Sequence, residues 1–303
     1  MVFPVNRGNK IRKPLVHRIT PWLFVLPGLI LTILLSYYPM IKAFYISLFD
    51  FNPINQPGQF IGLKNFIDIF NQQAYWNAWI NTFMFLLLTL GITFLVPIIQ
   101  AIFLSELGRG REFMSTIYLV STLVPISVNV ILWKWIWHPD YGLANHILSY
   151  FNIAPQLWLS DPNWTKFCIV FPGIIGGGVI VLMYLASILS IPEEIIESAR
   201  IDGCSGWKRI FFITLPNIRN IIFLQFLLAV IYTMQILDGP FQFTKGGPAG
   251  VSTSMGVYIY KTAMEGTRNI SYGRANAASV VFFLLLVVIT IVQMRFNRSE
   301  SEM

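Results

Sequence analysis

Six stretches of apolar residues divide the chain, and each is long enough to form a helix that crosses a membrane. They lie at residues 22–48, 80–104, 115–137, 167–189, 217–238 and 276–294. A helix needs about 20 apolar residues to cross a hydrocarbon core that is ~30 Å thick. Lipid offers no partners to backbone amides and carbonyls, and the sequence has none of the short alternating runs of a barrel, so we predict six helices.

The composition of the chain supports a membrane protein. Of its 303 residues, 55% are hydrophobic and 12% are charged, and a soluble domain of this length could not bury so much apolar surface. The formal net charge of +7 then reflects orientation in the membrane, and we expect no nucleic-acid partner. Cys168 and Cys204 lie in different environments and the three histidines are scattered, so we expect no disulfide, metal site or cofactor.

The sequence predicts a single transmembrane domain with short tails. A basic N-terminal segment precedes a long apolar run without a small-residue cleavage site, which favours a retained first span over a cleaved signal peptide. We expect a cytoplasmic tail at 1–21, a transmembrane domain at 22–296 without a separate soluble domain, and a cytoplasmic tail at 297–303.

The distribution of Lys and Arg predicts the orientation of the spans. With the N-terminus in the cytoplasm, alternate loops place thirteen of these residues on the cytoplasmic side and six on the outer side, in agreement with the positive-inside rule. Seven tryptophans fall at predicted outer ends or loops, as in an aromatic belt. They are Trp76, Trp79, Trp133, Trp135, Trp137, Trp158 and Trp164.

One polar segment interrupts the apolar pattern. Residues 190–217, SIPEEIIESARIDGCSGWKRIFFITLPN, lie between the fourth and fifth spans, on the predicted cytoplasmic side. SIPE predicts a capping box in which Ser190 caps a helix and Glu193 reaches back. Glu197 and Arg200 are spaced to form an ion pair along that helix.

The same segment predicts a helix–turn–helix, because Gly203 and the following CSG end the first helix before a second begins at Trp207. Two interpretations remain open from the residues alone. The segment is either an amphipathic connector on the membrane surface or a docking element for a soluble cytoplasmic partner.

The segment ESARIDG, followed after nine residues by ITLP, resembles the signature loop of ABC-importer permeases. That loop reads Glu-Ala-Ala, three residues, Gly, nine residues and Ile-x-Leu-Pro. Six positions agree: Glu197, Ala199, Gly203, Ile213, Leu215 and Pro216. Ser198 replaces the first Ala of the motif, and Cys204 stands where Ala is usual. Both are small residues that preserve the surface of the loop.

Further segments resemble carbohydrate-type members of the same family. LPGLILTILLSYYPMIKAFYISLFDF and FIGLKNF are similar to their entry segment. TKGGPAG, YIYKTAM and YGRANAAS are similar to the region between their fifth and sixth spans. Together these features resemble the first of the two permease subunits in oligosaccharide importers such as the maltose system.

The resemblance implies an all-α integral membrane protein with the type I ABC importer permease fold. Six transmembrane helices would carry a cytoplasmic coupling helix between the fourth and fifth, in a bacterial cell membrane. The implied partners are a second homologous permease, a dimer of ABC ATPase subunits, an extracellular sugar-binding protein and the sugar. The implied ATPase-coupling residues are Glu197, Ser198, Ala199, Asp202, Gly203, Leu215 and Pro216.

The resemblance also implies a substrate pathway on the spans that flank the coupling loop, at Gly176, Val179, Ala229, Tyr232, Thr233 and Ile236. From the residues alone, Gln225, Ala229 and Tyr232 form a helical stripe that ends at Ile236, and Asn129 adds a polar group from span three. Such residues either line a path for a polar solute or join one helix to another.

Two glycine-rich runs also leave alternatives open. PGIIGGG in span four places Gly173 and Gly177 at the small-xxx-small spacing, which predicts either tight helix packing or a widened groove. TKGGPAG predicts a sharp turn at the outer face. This turn either contacts the binding protein or the sugar, or it only reverses the chain.

Other functions are weaker candidates. An ion-coupled secondary transporter generally buries an acid or base within its spans and often has inverted halves, and the sequence shows neither feature. A scaffold would not need polar residues in span five. The chain has no G-x-x-x-x-G-K-[ST] motif. We therefore predict the non-enzymatic permease subunit of an ATP-driven sugar importer, with the ion-coupled carrier as the alternative.

Overall fold

The computed structural model describes residues 15–52, 58–265 and 271–301, with side-chain environments for 22–52, 58–265 and 271–295. Residues 1–14 of the predicted N-terminal tail and residues 302–303 of the predicted C-terminal tail therefore lie outside the described residues. Arg268, which was assigned to an outer loop, also lies outside them.

Helices make up most of the described chain. The α-helices are, in chain order, α1 Leu15–Thr32, α2 Tyr38–Ile46, α3 Lys64–Phe70, α4 Gln73–Leu88, α5 Val96–Glu106, α6 Arg111–Ser121, α7 Ile126–Ile136, α8 Leu143–Tyr150, α9 Thr165–Val170, α10 Gly178–Leu189, α11 Glu193–Ile201, α12 Trp207–Arg209, α13 Leu215–Asn217, α14 Arg219–Met234, α15 Asp238–Thr244, α16 Met255–Met264 and α17 Tyr272–Ser301.

Short π-helical and 3₁₀ segments join several of these helices. The π-helical segments are Ile33–Tyr37, Thr89–Thr93 and Ile210–Thr214, and the 3₁₀ segments are Trp158–Ser160 and Phe171–Ile174. Strand β1 Phe49–Asp50 pairs antiparallel with β2 Gln59–Phe60, with Phe49 opposite Phe60.

Three helical stretches are long and apolar enough to cross a membrane by themselves: Trp22–Ile46, Gln73–Glu106 and Tyr272–Arg295. Three bent pairs meet the same test together. Arg111–Ser121 with Ile126–Ile136 bends by 95°, Thr165–Ile174 with Gly178–Leu189 by 44°, and Trp207–Asn217 with Arg219–Met234 by 70°. Counting each pair as one span gives six spans among the described residues, as the apolar runs predict.

Spans three, four and five are each bent at a break between two helices. Pro125 has no amide hydrogen to donate and stands at the start of α7 with extended backbone, so α6 cannot continue into α7. Gly177 has a left-handed φ of +82° at the start of α10, which a residue with a side chain rarely adopts. Pro125 and Gly177 therefore mark the breaks at which spans three and four bend.

Three clusters of buried side chains hold the bundle together. The first joins α4, α14, α16 and α17 around Tyr75 and Met234, and the second joins α4, α7, α9 and α15 around Phe85 and Cys168. The third packs α5 on α10 around Tyr184. Outside them, the Trp22–Ile46 window is not buried at all. Lipid is as apolar as these side chains, so close packing, and not burial from water, selects the helix contacts.

The predicted aromatic belt is wrong for four of the seven tryptophans. Trp79, Trp133, Trp137 and Trp158 are 6% to 9% exposed and lie in the packed clusters, where Trp137 stacks near Trp158 with ring centroids 4.9 Å apart. Trp76, Trp135 and Trp164 are exposed. The location of a tryptophan at the end of a span does not show whether its ring points into the bundle. The direction of the ring depends on how packing rotates the helix.

Candidate functional site

The segment 190–217, named here the coupling loop, begins at a helix boundary that differs from the prediction. The predicted capping box is wrong, because Ser190 still belongs to the last turn of α10 and its hydroxyl donates to the Ser187 carbonyl at 2.8 Å. Helix α11 begins at Glu193 after Pro192, without a side-chain cap. Glu193 and Glu194 lie in its first turn, where carboxylates stabilise the helix N-terminus.

The end of α11 is a Schellman turn centred on Gly203. The Cys204 amide donates to the Ala199 carbonyl at 2.8 Å, and the Gly203 amide donates to the Arg200 carbonyl at 3.1 Å. Gly203 has a φ of +73°, and a Cβ added there would meet no atom within 4 Å. The need for glycine is therefore conformational and not steric.

The coupling-loop residues implied by the motif divide into an exposed set and a buried set. Glu197, Ser198, Asp202, Gly203 and Pro216 are exposed, Leu215 is half-buried and Ala199 is 6% exposed. Ala199 thus seats α11 on the bundle while the exposed residues form an open surface.

Arg200 does not form the predicted ion pair with Glu197, which is absent from the ion pairs of the described residues. It borders instead a cavity of about 490 Å³ beneath α11 that is also lined by Glu193 and Arg209. Arg200 therefore contributes to the lining of this cavity and not to an ion pair with Glu197.

Two arginines contact the end of span two: Arg209 comes from the coupling loop, and Arg111 is the first residue of α6 in span three. Arg209 donates through Nη2 to Glu106 Oε1, at the last residue of α5. Arg111 donates to the carbonyls of Ser105, at 2.8 Å, and of Leu107, at 3.1 Å. A guanidinium at this place satisfies carbonyls that have no partner within the helix and complements its dipole.

A second cavity, of about 550 Å³, lies within the bundle. Its lining comes from spans two to five and from α15, and consists of Thr89, Thr93, Ile126, Asn129, Val130, Ile169, Val170, Pro172, Gly173, Tyr232, Thr233, Gln235, Ile236, Leu237, Asp238, Gly239 and Phe243. We name it the central cavity. Hydroxyl and amide groups alternate along its wall with apolar side chains.

Each of the four spans that border the central cavity is irregular where it does so. Span two contributes the π-helical segment Thr89–Thr93, and span three contributes the first turn of α7. Span four contributes the 3₁₀ segment Phe171–Ile174, and α14 of span five ends at Met234. Irregular backbone at membrane depth is tolerated where it borders a cavity or is buried in protein, and π-helical segments often mark functional sites.

Three of the six predicted pathway residues line the central cavity. Tyr232 is 74% exposed, Thr233 is 7% exposed and Ile236 is half-buried. Gly176, Val179 and Ala229 are not among the described residues that line it. Val179 is instead 51% exposed, and Gly176 and Ala229 are half-buried.

The predicted stripe on span five is only partly present. Gln225 is 6% exposed and its side-chain amide donates to Met183 Sδ at 3.3 Å, so it joins α14 to α10. Asn129 lines the cavity as a polar group of span three. At Gly173, a Cβ would approach Thr93 Cγ2 to 2.9 Å, so this glycine permits tight packing between spans two and four.

Sequence reasoning missed Thr89, Thr93 and Asp238 in the cavity wall. The two threonines stood out in the sequence as polar residues within the apolar run TLGITF. Asp238 could also have been identified, because it is a carboxylate at the end of the apolar run of span five. Among the described residues, no group of three or more His, Cys, Asp or Glu side chains could hold a metal ion.

Comparison with known proteins agrees with this architecture. The profile of the family described as "Binding-protein-dependent transport system inner membrane component" matches residues 94–301. The sn-glycerol-3-phosphate transport system permease protein UgpA of Escherichia coli (strain UTI89 / UPEC) is 31% identical, over 92% of this chain and 94% of that protein. The trehalose/maltose transport system permease protein MalF of Thermococcus litoralis is 28% identical, over 93% of this chain and 94% of that protein.

A solved structure shares the fold along nearly its whole length. A chain in the crystal structure of a bacterial alginate ABC transporter, in complex with an alginate pentasaccharide-bound periplasmic protein, superposes with a TM-score of 0.82. The two chains are 25% identical in sequence, and the match covers 94% of this chain and 97% of the other. The family match spans more than half of the sequence, and the chain therefore belongs to the binding-protein-dependent transport system inner membrane components.

Proposed function

We propose that the chain forms one half of the translocation pathway of an ATP-driven sugar importer in a bacterial cell membrane. The observation that carries the proposal is the central cavity, where the irregular segments of four spans meet around Tyr232 and Thr233. In transporters, helices that are interrupted near the middle of the membrane commonly form the substrate site. The lining supplies what such a site needs for a polar solute.

A sugar fits the chemistry of this lining. Asn129, Thr233 and Gln235 present groups that donate and accept hydrogen bonds, which matches the hydroxyl groups of a sugar. Tyr232 and Phe243 add aromatic faces that can pack on the apolar side of a sugar ring. The names of relatives include a trehalose/maltose system and an alginate transporter, which supports an oligosaccharide.

The coupling loop is proposed to dock on an ATPase partner. Its exposed residues include Glu197 and Asp202 from α11 and Pro216 after the turn. Ile201 and Trp207 are 87% and 75% exposed, a combination of charged and large apolar side chains suited to a protein interface. Hydrolysis of ATP occurs in that partner, and this chain transmits the resulting movement.

A continuous helical element links the coupling loop to the central cavity. The stretch Gln73–Glu106 contains the π-helical segment that lines the cavity and ends at Glu106, the partner of Arg209. On the other side, α14 runs from Arg219, after the loop, to Met234 beside the cavity. A rigid-body shift of the loop is therefore transmitted to two walls of the cavity at once.

The complete machine is proposed to contain a second permease, two ATPase subunits and an extracellular sugar-binding protein. The orientation that follows from the Lys and Arg distribution places both termini and the coupling loop in the cytoplasm. This chain does not enclose the central cavity, so the second permease would supply the rest of the pathway. Membership in this family gives no support to the ion-coupled alternative.

The decisive experiment is purification of the tagged chain from native membranes in mild detergent, with identification of bound subunits. We expect an ATPase and a second permease to co-purify, and the reconstituted complex to hydrolyse ATP faster when the binding protein and its sugar are added. Gly203→Asp in the coupling loop should weaken ATPase association or sugar-stimulated hydrolysis, and Ser205→Ala, a change in the same exposed turn, is its matched control. Sugar uptake that continues after ATP depletion and follows an ion gradient would contradict the proposal.

A further inference from the structure

The charge of the central cavity comes from one residue. Of the described residues that line it, one, Asp238, is charged, and none is Lys, Arg or His. The bordering helices carry cations, namely Lys134 on α7, Lys166 on α9 and Lys245 just after α15. None of these three belongs to the described lining, so the wall of the cavity is acidic.

We infer that Asp238 makes the central cavity selective for uncharged, hydroxyl-bearing oligosaccharides and excludes anionic ones. The inference rests on the proposed role of the cavity as part of the sugar pathway. Family membership leaves the charge of the solute open, since one relative is named for sn-glycerol-3-phosphate and another for trehalose and maltose. The lining of this chain distinguishes between the two classes.

An anionic sugar needs partners that this cavity does not offer. Carboxylates and phosphates are recognised mainly by Arg and Lys, whose hydrogen bonds to anions are the strong ones. Here the polar groups are neutral, as in Asn129, Thr233 and Gln235, and the remaining one is the carboxylate of Asp238. A uronate or phosphate that enters would meet the like charge of Asp238 on the cavity wall, which opposes binding.

An uncharged sugar gains from the same residue. The carboxylate has two oxygens that accept hydrogen bonds, so Asp238 can accept from two neighbouring hydroxyl groups of a sugar ring. Asp238 is also exposed and stands at the first position of α15, where it is free to meet a solute. Asn has nearly the same size and shape as Asp, and α15 has no side-chain cap hydrogen bond to lose, so Asp238→Asn removes the charge and leaves the local structure in place.

The test measures access to the cavity in membranes that contain the whole importer. Ile126, which is 50% exposed and lines the cavity without a polar group, is changed to Cys in a chain that also carries Cys204→Ser. The buried Cys168 is retained. The rate of maleimide labelling at position 126 is then measured with a panel of uncharged gluco-, manno- and galacto-oligosaccharides. A length-matched panel of uronate oligosaccharides and sugar phosphates is tested in parallel.

We expect at least one uncharged sugar to slow labelling. The concentration that it needs should be at least about tenfold lower than the concentration at which any anionic sugar of the second panel gives the same protection. Asp238→Asn should narrow this difference, and Asp238→Lys should reverse it. Equal protection by an anionic sugar in the Asp238 protein, or a difference that Asp238→Asn leaves unchanged, would overturn the inference while leaving the pathway in place. Protection by neither panel, up to the solubility of the sugars, would overturn the pathway and the inference together.

Discussion

Arg209 forms an ion pair with Glu106, and this contact joins the coupling loop to the last residue of span two. The Arg209 side chain is 18% exposed and that of Glu106 is 54% exposed, so the pair lies at the edge of the cavity beneath α11. Span two continues from Glu106 to the cavity wall at Thr89–Thr93, so the pair joins the coupling loop to a helical stretch that lines the central cavity. We propose that it transmits movement between them.

Charge reversal tests this link. Glu106→Arg or Arg209→Glu alone places two like charges against each other, and we expect each to reduce sugar-stimulated ATP hydrolysis and uptake in the assembled complex. The double variant restores the attraction with opposite polarity, so it should recover most of the lost coupling. A partly exposed pair contributes at most about 1 kcal/mol to stability, and the amount of complex in the membrane should change little.

Lys208→Glu is a suitable control, because Lys208 is an exposed neighbour without a described ion pair. It changes the net charge as Arg209→Glu does but leaves the link intact. If the double variant is as inactive as the two single variants, the pair does not transmit movement.

The exposed surface of α11 gives a second prediction. Gly203→Asp forces a side chain into left-handed backbone at a φ of +73°, which costs about 1–2 kcal/mol and displaces the Schellman turn. Glu197→Lys reverses a charge on the exposed face. We expect either change to weaken ATPase association, or sugar-stimulated hydrolysis, without reducing insertion of the chain. Both are measured by co-purification and ATP turnover, and wild-type transport by both variants would refute the docking role.

The orientation gives a third prediction. In a chain without native cysteines, single cysteines at Asn6 and at Ser205 are expected to resist a membrane-impermeant thiol reagent in intact cells and to react after permeabilisation. The expectation follows from the distribution of Lys and Arg between alternate loops. Asn6 lies outside the described residues, and Ser205 is exposed in the turn of the coupling loop. Labelling of either position from outside would reverse the proposed topology.

The number of spans and the coupling loop could be predicted from the sequence, because both depend on local patterns. Apolar length determines whether a helix can cross the membrane, and the spacing from Glu197 to Pro216 resembles a known signature. The helix start could not be predicted from SIPE, since Ser190 can either cap α11 or end α10. In the structure Ser190 ends α10, and its hydroxyl donates to the Ser187 carbonyl.

The cavity was harder to predict because it depends on how the helices are rotated and where they break. Tyr232 and Gln225 are two turns apart on α14, yet Tyr232 lines the cavity and Gln225 packs against Met183. The end of α14 at Met234 and the bends in spans three and four bring the wall together. Hydropathy does not report such breaks, and neither does the spacing of polar residues.

Tyr232 gives the last prediction, which tests the central cavity directly. The side chain is 74% exposed and has no described hydrogen bond within the chain, so its removal should not disturb the bundle. If the ring packs on a sugar and its hydroxyl binds a sugar hydroxyl, losing the contact costs about 1–3 kcal/mol. This corresponds to a loss of roughly 5- to 150-fold in uptake efficiency, at about 1.4 kcal/mol per factor of ten.

Uptake of radiolabelled sugar, normalised to the amount of complex in the membrane, measures the effect of Tyr232→Ala. Thr233→Val keeps the shape of the side chain and removes its hydroxyl, so it should reduce uptake less. Phe282→Ala is the packing control, because Phe282 is 8% exposed, packs on Trp79 with ring centroids 5.6 Å apart, and lies outside the cavity lining. It should lower the amount of complex and leave uptake per complex unchanged. If Tyr232→Ala behaves like Phe282→Ala, or transports normally, this part of span five joins helices and does not line the pathway.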